Sequence, residues 1–297
     1  PTSRVLHRLP DNTNLTIDFA ALRADDLEAD LRARDFTINA IAAKPANAND
    51  DKKENEVVLD GLSIVDPFGG LKDLNSKLIK AVGDPSERFA EDALRLMRAV
   101  RFAAQLDFDI EEKTMRDLTA YATALDSVSN ERIRDEIVKI VKSDNPEIGF
   151  NLMQQTGLLA LTLPELAEGV GVGQNKHHTY TVFEHNVKSL QYAAKYKYSL
   201  PVRLAALLHD VGKPRTKRPK DGDFTFYAHD VVSARLAEKL LKRLKFSNKI
   251  TEKVVHLVRH HMFYYDVGKV TETGARRLLR RVGKENFDDL IKVRIAE

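Results

Sequence analysis

The sequence contains no cysteine, so its 297 residues can form neither disulfides nor thiolate metal sites. Any metal must therefore be bound by His, Asp or Glu. The chain also lacks a secretory signal and any apolar run approaching the ~18 residues that a membrane span needs. We therefore expect a cytoplasmic protein with no membrane partner. Its 43% hydrophobic and 31% charged residues are typical of a soluble globular chain, and its length suits about two domains.

The chain also has little net charge, and the value of +3 by itself indicates nothing about nucleic acid. Its basic residues are nevertheless clustered in two places. Such clusters can neutralise phosphates, although an ordinary solvated surface explains them equally well. The first cluster comprises Lys213, Arg215, Lys217, Arg218 and Lys220, and the second comprises Arg276, Arg277, Arg280 and Arg281.

Sequence periodicity changes from strand-like to helical near Pro85. Before this point, Asn14–Ala20 alternates apolar and polar residues as a half-buried strand does. After it we predict amphipathic helices, one of them continuous from Glu87 to Leu106. Glycines at residues 169–173 are typical of a linker. We therefore expect an α+β protein with domains at residues 1–83, 84–168 and 174–297.

One predicted helix places acidic and basic side chains together. Charged residues spaced three or four apart share one stripe of a helix. An acid beside an arginine offers both acceptors and donors, which pairing with the Watson–Crick edge of a base requires. The alternative, a surface ion-pair helix, is far commoner. The stripe would comprise Glu91, Asp92, Arg95 and Arg98.

Four segments read DLRARDFTINA (residues 30–40), DPFGGLKDL (66–74), EDALRLMRAVRF (91–102) and NERIRDEIVK (130–139). In this order and at this spacing they resemble motifs B to E of the class II tRNA nucleotidyltransferases, the CCA-adding enzyme and poly(A) polymerase family. The resemblance implies the remnant of a nucleotidyltransferase mixed sheet followed by a helical neck. It also implies transfer of nucleotides from CTP and ATP to the tRNA acceptor arm, with Mg²⁺ as the metal.

The resemblance further implies roles for individual residues. Motif B would bind the incoming nucleotide and its sugar, and Asp92 and Arg95 would select CTP or ATP. Motif C, with Asp66, Gly69, Gly70 and Asp73, would act as a hinge, and motif E, with Arg132, Arg134 and Glu136, would steady the helices. The nucleotide-binding residues implied in this way are Arg34, Asp35, Asn39, Asp92, Arg95, Arg98 and Arg132.

The chain departs from the family pattern in two places. Ala33–Arg34 stands where the family usually has two adjacent arginines, and Arg32 is placed to compensate. No glycine-rich turn followed by an Asp-x-Asp pair, the family's motif A, precedes motif B in this chain. Those carboxylates hold the two metal ions of nucleotidyl transfer. Asp18, on the predicted strand, is the candidate catalytic carboxylate.

A second pattern is formed by histidines, most of which lie between residues 177 and 261. In the segment LLHDVGKP, His209 and Asp210 end a very apolar helix, where a bound metal would offset the burial of two polar groups. The alternative is a hydrogen-bonded pair at a capped helix end. Histidine recurs on four successive helical elements, which favours the metal.

This pattern resembles the HD superfamily of metal-dependent phosphohydrolases, which implies an all-α domain. The metal would be a divalent transition ion such as Mn²⁺, Ni²⁺ or Co²⁺, and Lys213 would steady phosphate charge. Asp266 is a candidate for the last aspartate of the family pattern, and His177 and His178 either line the site or form a loop pair. The implied ligands are His185, His209, Asp210, His229, and His260 or His261.

Three functions fit these motifs. The first is a template-independent nucleotidyltransferase that adds CCA to tRNA 3′ ends, with an appended HD phosphohydrolase domain. The second is an A-adding enzyme or poly(A) polymerase of the same family, because motifs B to E are common to both. The third is an HD phosphohydrolase whose transferase half has become an RNA-binding module, against which the intact motifs B and D argue. The sequence does not predict the oligomeric state.

We expect the 297 residues alone to be inactive in nucleotide transfer, because they lack the metal-binding carboxylates of motif A. The purified chain should incorporate neither labelled CTP nor labelled ATP into tRNA that lacks its CCA end, in the presence of Mg²⁺. A CCA-adding enzyme in the same assay is the positive control. Any incorporation by the chain would contradict this prediction.

Overall fold

The computed structural model describes residues 2–8, 14–22, 24–45, 56–59, 62–175, 179–263 and 270–297, and for residues 2–4, 7, 14–20 and 56–59 it describes the backbone alone. The chain divides into two compact units, Pro1–Pro85 and Ser86–Glu297. Many helices and several small sheets confirm the expected α+β class. The further division at residues 169–173 stays a prediction.

Short antiparallel strands form the sheets of the first unit. β1 (Thr2–Arg8) pairs with β2 (Asn14–Ala20) along its whole length, and β2 has the predicted bounds. In a second sheet, β5 (Leu62–Val65) lies between β3 (Ala42–Pro45) and β4 (Glu56–Leu59). The remaining elements of this unit are the helices α1 (Leu27–Arg32) and α2 (Gly70–Asn75) and the strand β6 (Leu78–Ile79).

Local hydrogen bonds shape the segment that carries motif B. Asp26 caps α1, because its carboxylate accepts a hydrogen bond from the Ala29 amide at 2.7 Å. After the helix, Phe36 forms an isolated β-bridge, and residues 37–39 make one turn of 3₁₀ helix. The apolar sequence of Phe36–Ala43 fits either a strand or a buried helix, and in the structure it is bridge, turn and strand in succession.

The second unit begins with a broken helix. The continuous helix predicted from Glu87 to Leu106 is wrong, because α3 (Pro85–Glu91) ends before Asp92 and α4 (Leu94–Leu106) starts two residues later. The Asp92 carboxylate accepts a hydrogen bond from the Leu94 amide at 3.1 Å and so satisfies the first amide of the second helix. The helical stripe expected for Glu91, Asp92, Arg95 and Arg98 is therefore interrupted at Asp92.

A buried ion pair joins α4 to the helix that carries motif E. Arg101 Nε lies 3.1 Å from Glu136 Oε2, and both side chains are almost fully buried. Lys139 donates a hydrogen bond to the other carboxylate oxygen of Glu136, Oε1, at 2.8 Å. A buried carboxylate needs such partners, which is consistent with the steadying role predicted for Glu136. The surrounding elements are β7 (Asp109–Ile110), α5 (Glu112–Ala120), α6 (Asn130–Lys142), α7 (Pro146–Gln155), α8 (Leu158–Thr162) and α9 (Pro164–Ala167).

The remainder of the second unit is built around one central helix, α11 (Leu200–Leu208). Residues 202–210 are all buried, which requires neighbours on every side. Its neighbours include α10 (Val182–Lys195), α14 (Asn248–His260) and α16 (Lys284–Ala296). The other elements are α12 (Lys213–Thr216), β8 (Arg218–Lys220), β9 (Asp223–Thr225), α13 (His229–Arg243) and α15 (Glu272–Val282).

The periodicity of this part of the sequence predicts four long helices, at Thr181–Tyr196, Pro201–His209, Val231–Leu244 and Lys249–His261. They agree with α10, α11, α13 and α14 to within two residues at each end. The β8–β9 hairpin was not predicted. Among the described residues, none of the helices combines the length and the apolar character needed to cross a bilayer.

Candidate functional site

Five buried side chains from four segments of the second unit converge on one point. His209 and Asp210 directly follow α11, and His209, Asp210 and His261 have no solvent exposure. The other two residues of this group are also ligands that the HD resemblance predicts, and each lies on a helix. They are His185 in the first half of α10 and His229 at the start of α13.

The two carboxylate oxygens of Asp210 face different histidines. Oδ2 lies 3.4 Å from Nε2 of His185 and 3.3 Å from Nε2 of His209. Oδ1 lies 3.2 Å from Nε2 of His229 and 3.7 Å from Nε2 of His261. The two ring nitrogens in each pair are also adjacent, at 3.0 Å and 3.3 Å respectively. We call these five residues the His–Asp cluster.

Backbone carbonyls fix the tautomer of three of these rings. The Nδ1 atoms of His209, His229 and His261 lie 2.7–2.8 Å from the carbonyl oxygen three residues earlier in the chain. A carbonyl oxygen can only accept, so each Nδ1 carries a proton and donates it. The Nε2 atom of each ring therefore faces Asp210, which is the orientation that metal-bound histidines adopt.

Burial and neighbouring charge keep the His185 and His261 rings neutral. Burial lowers the pKa of His185 to about 3 and that of His261 to about 4, with His209 adding to both effects. Burial would raise the pKa of Asp210, but the nearby His209 and Lys213 outweigh it, so its pKa lies well below the usual range. Asp210 likewise raises the pKa of His209 against the effect of burial.

The donor set fits a divalent transition metal. Neutral imidazoles and one carboxylate are the ligands that such ions prefer when no thiolate is available. The donor atoms of His185, His209 and Asp210 form one group within 4.8 Å, and those of Asp210, His229 and His261 form another. Neither Asp210 oxygen has a hydrogen bond of acceptable geometry from the described residues, although Lys213 Nζ lies 2.5 Å from Oδ2. A metal would satisfy both oxygens.

His261, and not His260, is the member of the pair that the structure brings to the cluster. The His260 ring instead packs at 4.7 Å from the ring of His256. Burial lowers its pKa to about 4, and the charges of His256 and Arg281 add to that effect. His177, His178 and Asp266 lie outside the described residues.

In the first unit, motif B residues hold one another in place. Arg34 donates two hydrogen bonds to Asp30 Oδ2, from Nε at 3.0 Å and from Nη2 at 2.5 Å. The buried Asp35 accepts a hydrogen bond from Asn39 Nδ2 at 3.1 Å. Asp18 lies on β2, and its side chain is outside the described part of the chain.

Motif C is tied to motif B within the same unit. Asp66 accepts hydrogen bonds from the Gly70 and Leu71 amides, the first two of α2, at 2.7 and 2.9 Å. Thr37 of motif B donates a hydrogen bond to the buried Asp73 at 2.7 Å. A Cβ on Gly70 would lie 2.1 Å from the Thr37 carbonyl oxygen, so only glycine fits there.

In the second unit, Asp92 and Arg95 each contact a partner other than one another. Asp92 accepts a hydrogen bond from Arg132 Nη2 at 2.7 Å, and Arg95 donates to Glu91 at 2.7 Å. Burial acts to raise the pKa of Asp92, but the hydrogen bond from Arg132 helps to lower it, so the acid is ionised. The Arg98 guanidinium lies 5.3 Å from the centre of the Phe102 ring.

Three family models match successive parts of the chain. They are described as Poly A polymerase head domain for residues 2–80, Probable RNA and SrmB-binding site of polymerase A for residues 107–169, and HD domain for residues 182–295. The chain belongs to the tRNA nucleotidyltransferase and poly(A) polymerase family.

Relatives of this chain differ in the activity that their names state. It is 36% identical over 289 residues to the A-adding tRNA nucleotidyltransferase of Deinococcus radiodurans, covering 94% of this chain and 62% of the relative. It is 32% identical over 280 residues to the multifunctional CCA protein of Neisseria gonorrhoeae (91% and 63%). It is 34% identical over 256 residues to the CC-adding enzyme of Thermus thermophilus (83% and 55%). The chain thus spans about three fifths of the length of the curated relatives it matches.

Solved structures show the same fold. The CCA-adding enzyme of Bacillus stearothermophilus in complex with CTP matches with a TM-score of 0.61 at 23% identity, covering 99% of this chain and 62% of that one. The Thermotoga maritima CCA-adding enzyme complexed with tRNA matches with a TM-score of 0.56 at 21% identity, covering 100% and 64%.

Two further residues lie near the His–Asp cluster without any sequence motif to mark them. The Glu297 side chain is only 16% exposed, and the charges of His209 and Arg294 lower its pKa although burial acts to raise it. Gln174 accepts a hydrogen bond from Lys213 Nζ at 2.6 Å. Both lie far from LLHDVGKP in sequence, and only the fold brings them there.

We expect the His–Asp cluster to bind Mn²⁺, Co²⁺ or Ni²⁺. Asp210→Asn removes the charge that both histidine pairs share, so bound metal should fall by roughly 10-fold or more. Metal content is measured by mass spectrometry after loading and dialysis. His260→Ala, one residue from a ligand but outside the cluster, is the control. Equal metal in Asp210→Asn and the parent protein would contradict the assignment.

Proposed function

We propose that this chain is part of a tRNA nucleotidyltransferase that transfers C and A from CTP and ATP to the 3′ end of tRNA in the cytoplasm, using Mg²⁺. The observation that carries the proposal is the pre-formed hydrogen bonding of motif B in a chain related to such enzymes over most of its length. The names of the relatives include A-adding, CC-adding and CCA activities. An A-adding enzyme or poly(A) polymerase is therefore the alternative.

Motif B would bind the triphosphate and sugar of the incoming nucleotide. Asp30 is almost fully buried and orients Arg34, whose own side chain is 40% exposed, so the guanidinium can reach a phosphate. Asp35 accepts hydrogen bonds from the Phe36 amide and from Asn39, so the amide group of Asn39 has a fixed direction. Side chains positioned before the ligand arrives lose less entropy on binding.

Asp92 and Arg95 would read the base. The Asp92 side chain is 35% exposed and ionised, so it can accept a hydrogen bond from a base amino group. Arg95 contacts Glu91 and the Arg88 carbonyl, at 2.7 and 3.1 Å. Base pairing would therefore exchange the Arg132 and Glu91 contacts for contacts to the nucleotide.

In the full-length protein, Asp92→Ala should lower kcat/KM for CTP and ATP by about 10- to 100-fold and weaken discrimination against UTP and GTP, because a base contact of this kind contributes about 1–3 kcal/mol. Incorporation is measured on tRNA ending at the discriminator base and on tRNA ending in CC. Addition to both substrates identifies a CCA enzyme, and addition only to the second identifies an A-adding enzyme.

Glu112→Ala, an exposed acid at the start of α5, is the matched control and should leave incorporation unchanged. Unaltered nucleotide discrimination in Asp92→Ala would sink the assignment of Asp92 to base reading. A full-length protein that hydrolyses phosphodiesters but never incorporates nucleotides would favour a transferase half reduced to an RNA-binding module.

We further propose that the His–Asp cluster is the centre of a metal-dependent phosphohydrolase. The bound metal would polarise a phosphate oxygen and lower the pKa of a bound water. The chain's own residues would place Asp210 and the imidazoles around the metal and keep bulk water out, since nearly all of these side chains are buried. Lys213, held between Asp210 and Gln174, would neutralise phosphate charge.

His209→Ala should reduce Mn²⁺-dependent hydrolysis of bis(p-nitrophenyl) phosphate by at least about 100-fold, because it removes a ligand at the middle of the cluster. Release of p-nitrophenol is followed at 1 mM substrate with Mn²⁺, Co²⁺ or Ni²⁺ (about 1 mM is a typical upper KM). His256→Ala serves as the comparison, because its ring packs on His260 outside the cluster. Hydrolysis that survives His209→Ala would remove the phosphohydrolase assignment.

A further inference from the structure

The β8–β9 hairpin presents aromatic rings and cations to solvent without an evident folding role. Asp221 and Gly222 at its tip both have positive φ, at 49° and 73°, which defines a tight two-residue turn. Phe224 is 41% exposed and Tyr227 is 70% exposed. Large rings left in water contribute little to folding and are available to contact another molecule.

Each exposed ring lies beside a lysine. Lys217 Nζ is 4.0 Å from the centre of the Phe224 ring. Lys220 Nζ is 5.7 Å from the centre of the Tyr227 ring and 3.2 Å from its hydroxyl oxygen. We call Lys217, Arg218, Lys220, Phe224 and Tyr227 the hairpin surface. Rings for stacking and cations for phosphates are the two components of surfaces that bind single-stranded nucleic acid.

The charges of the hairpin surface favour a polyanion. Arg218 and Lys220 are exposed, and the hydrogen bonds that they donate go to neutral oxygens, the Lys217 carbonyl and the Tyr227 hydroxyl. Arg215, in contrast, forms a bidentate ion pair with Glu168 and is already neutralised. Two cations next to two exposed rings therefore match a phosphate backbone with unstacked bases.

The hairpin leads directly into the His–Asp cluster. The Phe226 carbonyl accepts the hydrogen bond from His229 Nδ1 at 2.8 Å. The Phe226 ring centre lies 5.7 Å from Nζ of Lys213, which contacts Asp210. A chain of contacts thus runs from the hairpin surface to the residues proposed to act on phosphate.

We propose that the hairpin surface binds single-stranded RNA and presents one of its phosphates to the His–Asp cluster. Bases stack on Phe224 and Tyr227, and Arg218 and Lys220 neutralise the neighbouring phosphates. The presentation step rests on the proposed phosphohydrolase function, whereas the binding step does not. The substrate of the cluster would then be a phosphate group carried by unpaired RNA.

Binding is measured with a short 4-thiouridine-containing single-stranded RNA, by fluorescence anisotropy and by mapping of photocrosslinks. The double variant Phe224→Ala/Tyr227→Ala should weaken binding by at least about 5-fold, because base stacking on one aromatic ring contributes ~1–3 kcal/mol. Crosslinked peptides should contain Phe224 or Tyr227. The single variant Tyr227→Phe, which keeps both rings, should retain most of the affinity of the parent protein.

Tyr196→Ala is the matched control, because Tyr196 is 51% exposed and lies 5.9 Å from Lys195 Nζ in a different part of the unit. It should bind RNA as the parent protein does. Unchanged RNA affinity in the double variant would overturn the proposal. The proposal would also be overturned if the double variant lost as much affinity for polyglutamate as for RNA, because polyglutamate has charge but no bases. Metal content of every variant is measured to verify that the His–Asp cluster is intact.

The presentation step is tested separately. Absence of phosphate release from a bound RNA would count against the proposed phosphohydrolase function and leave the binding result intact.

Discussion

Asp210 is a carboxylate with no solvent exposure, and its burial constrains the whole C-terminal part of the chain. Transfer of such a charge out of water costs several kcal/mol unless partners surround it. Those partners come from elements that are distant in sequence, so α10, α11, α13 and α14 must end or pass beside one point. Gly212 allows one close approach of this kind, since a Cβ there would lie 2.6 Å from the Ser233 amide nitrogen of α13.

The same principle applies on a smaller scale to the motifs of the nucleotidyltransferase family. Asp30, Asp35, Asp73 and Glu136 are all buried acids, and each has a hydrogen-bond donor or cation beside it. Side chains such as Arg34 and Asn39 that could contact a nucleotide are held by these acids. Asp30 and Asp35 therefore fix the direction of side chains that are less buried than the acids themselves.

Much of the fold followed from the sequence because local signals were strong. The α11 helix is apolar along its length and begins at Ser199 with a proline in its first turn, so both its location and its burial could be predicted. The break between α3 and α4 could not be predicted, because the Asp92 side chain bonds to a backbone amide in an otherwise regular helical pattern.

The site could be predicted only in part, because its members are brought together by the fold. Neighbouring residues on a helix point about 100° apart, so His260 and His261 could be told apart only when the buried side of α14 was known. Glu297 lies outside every motif.

The hydrogen bonds from the three imidazoles to backbone carbonyls limit how the lengths of the helices in this domain can vary. His209 and His261 directly follow the last residue of a helix, and His229 is the first residue of one. Adding one residue inside such a helix would rotate the terminal ring by about 100° and shift it by about 1.5 Å, away from Asp210. Insertions and deletions should therefore accumulate in the connecting loops, while the number of residues in each of these helices stays fixed among proteins that keep the cluster.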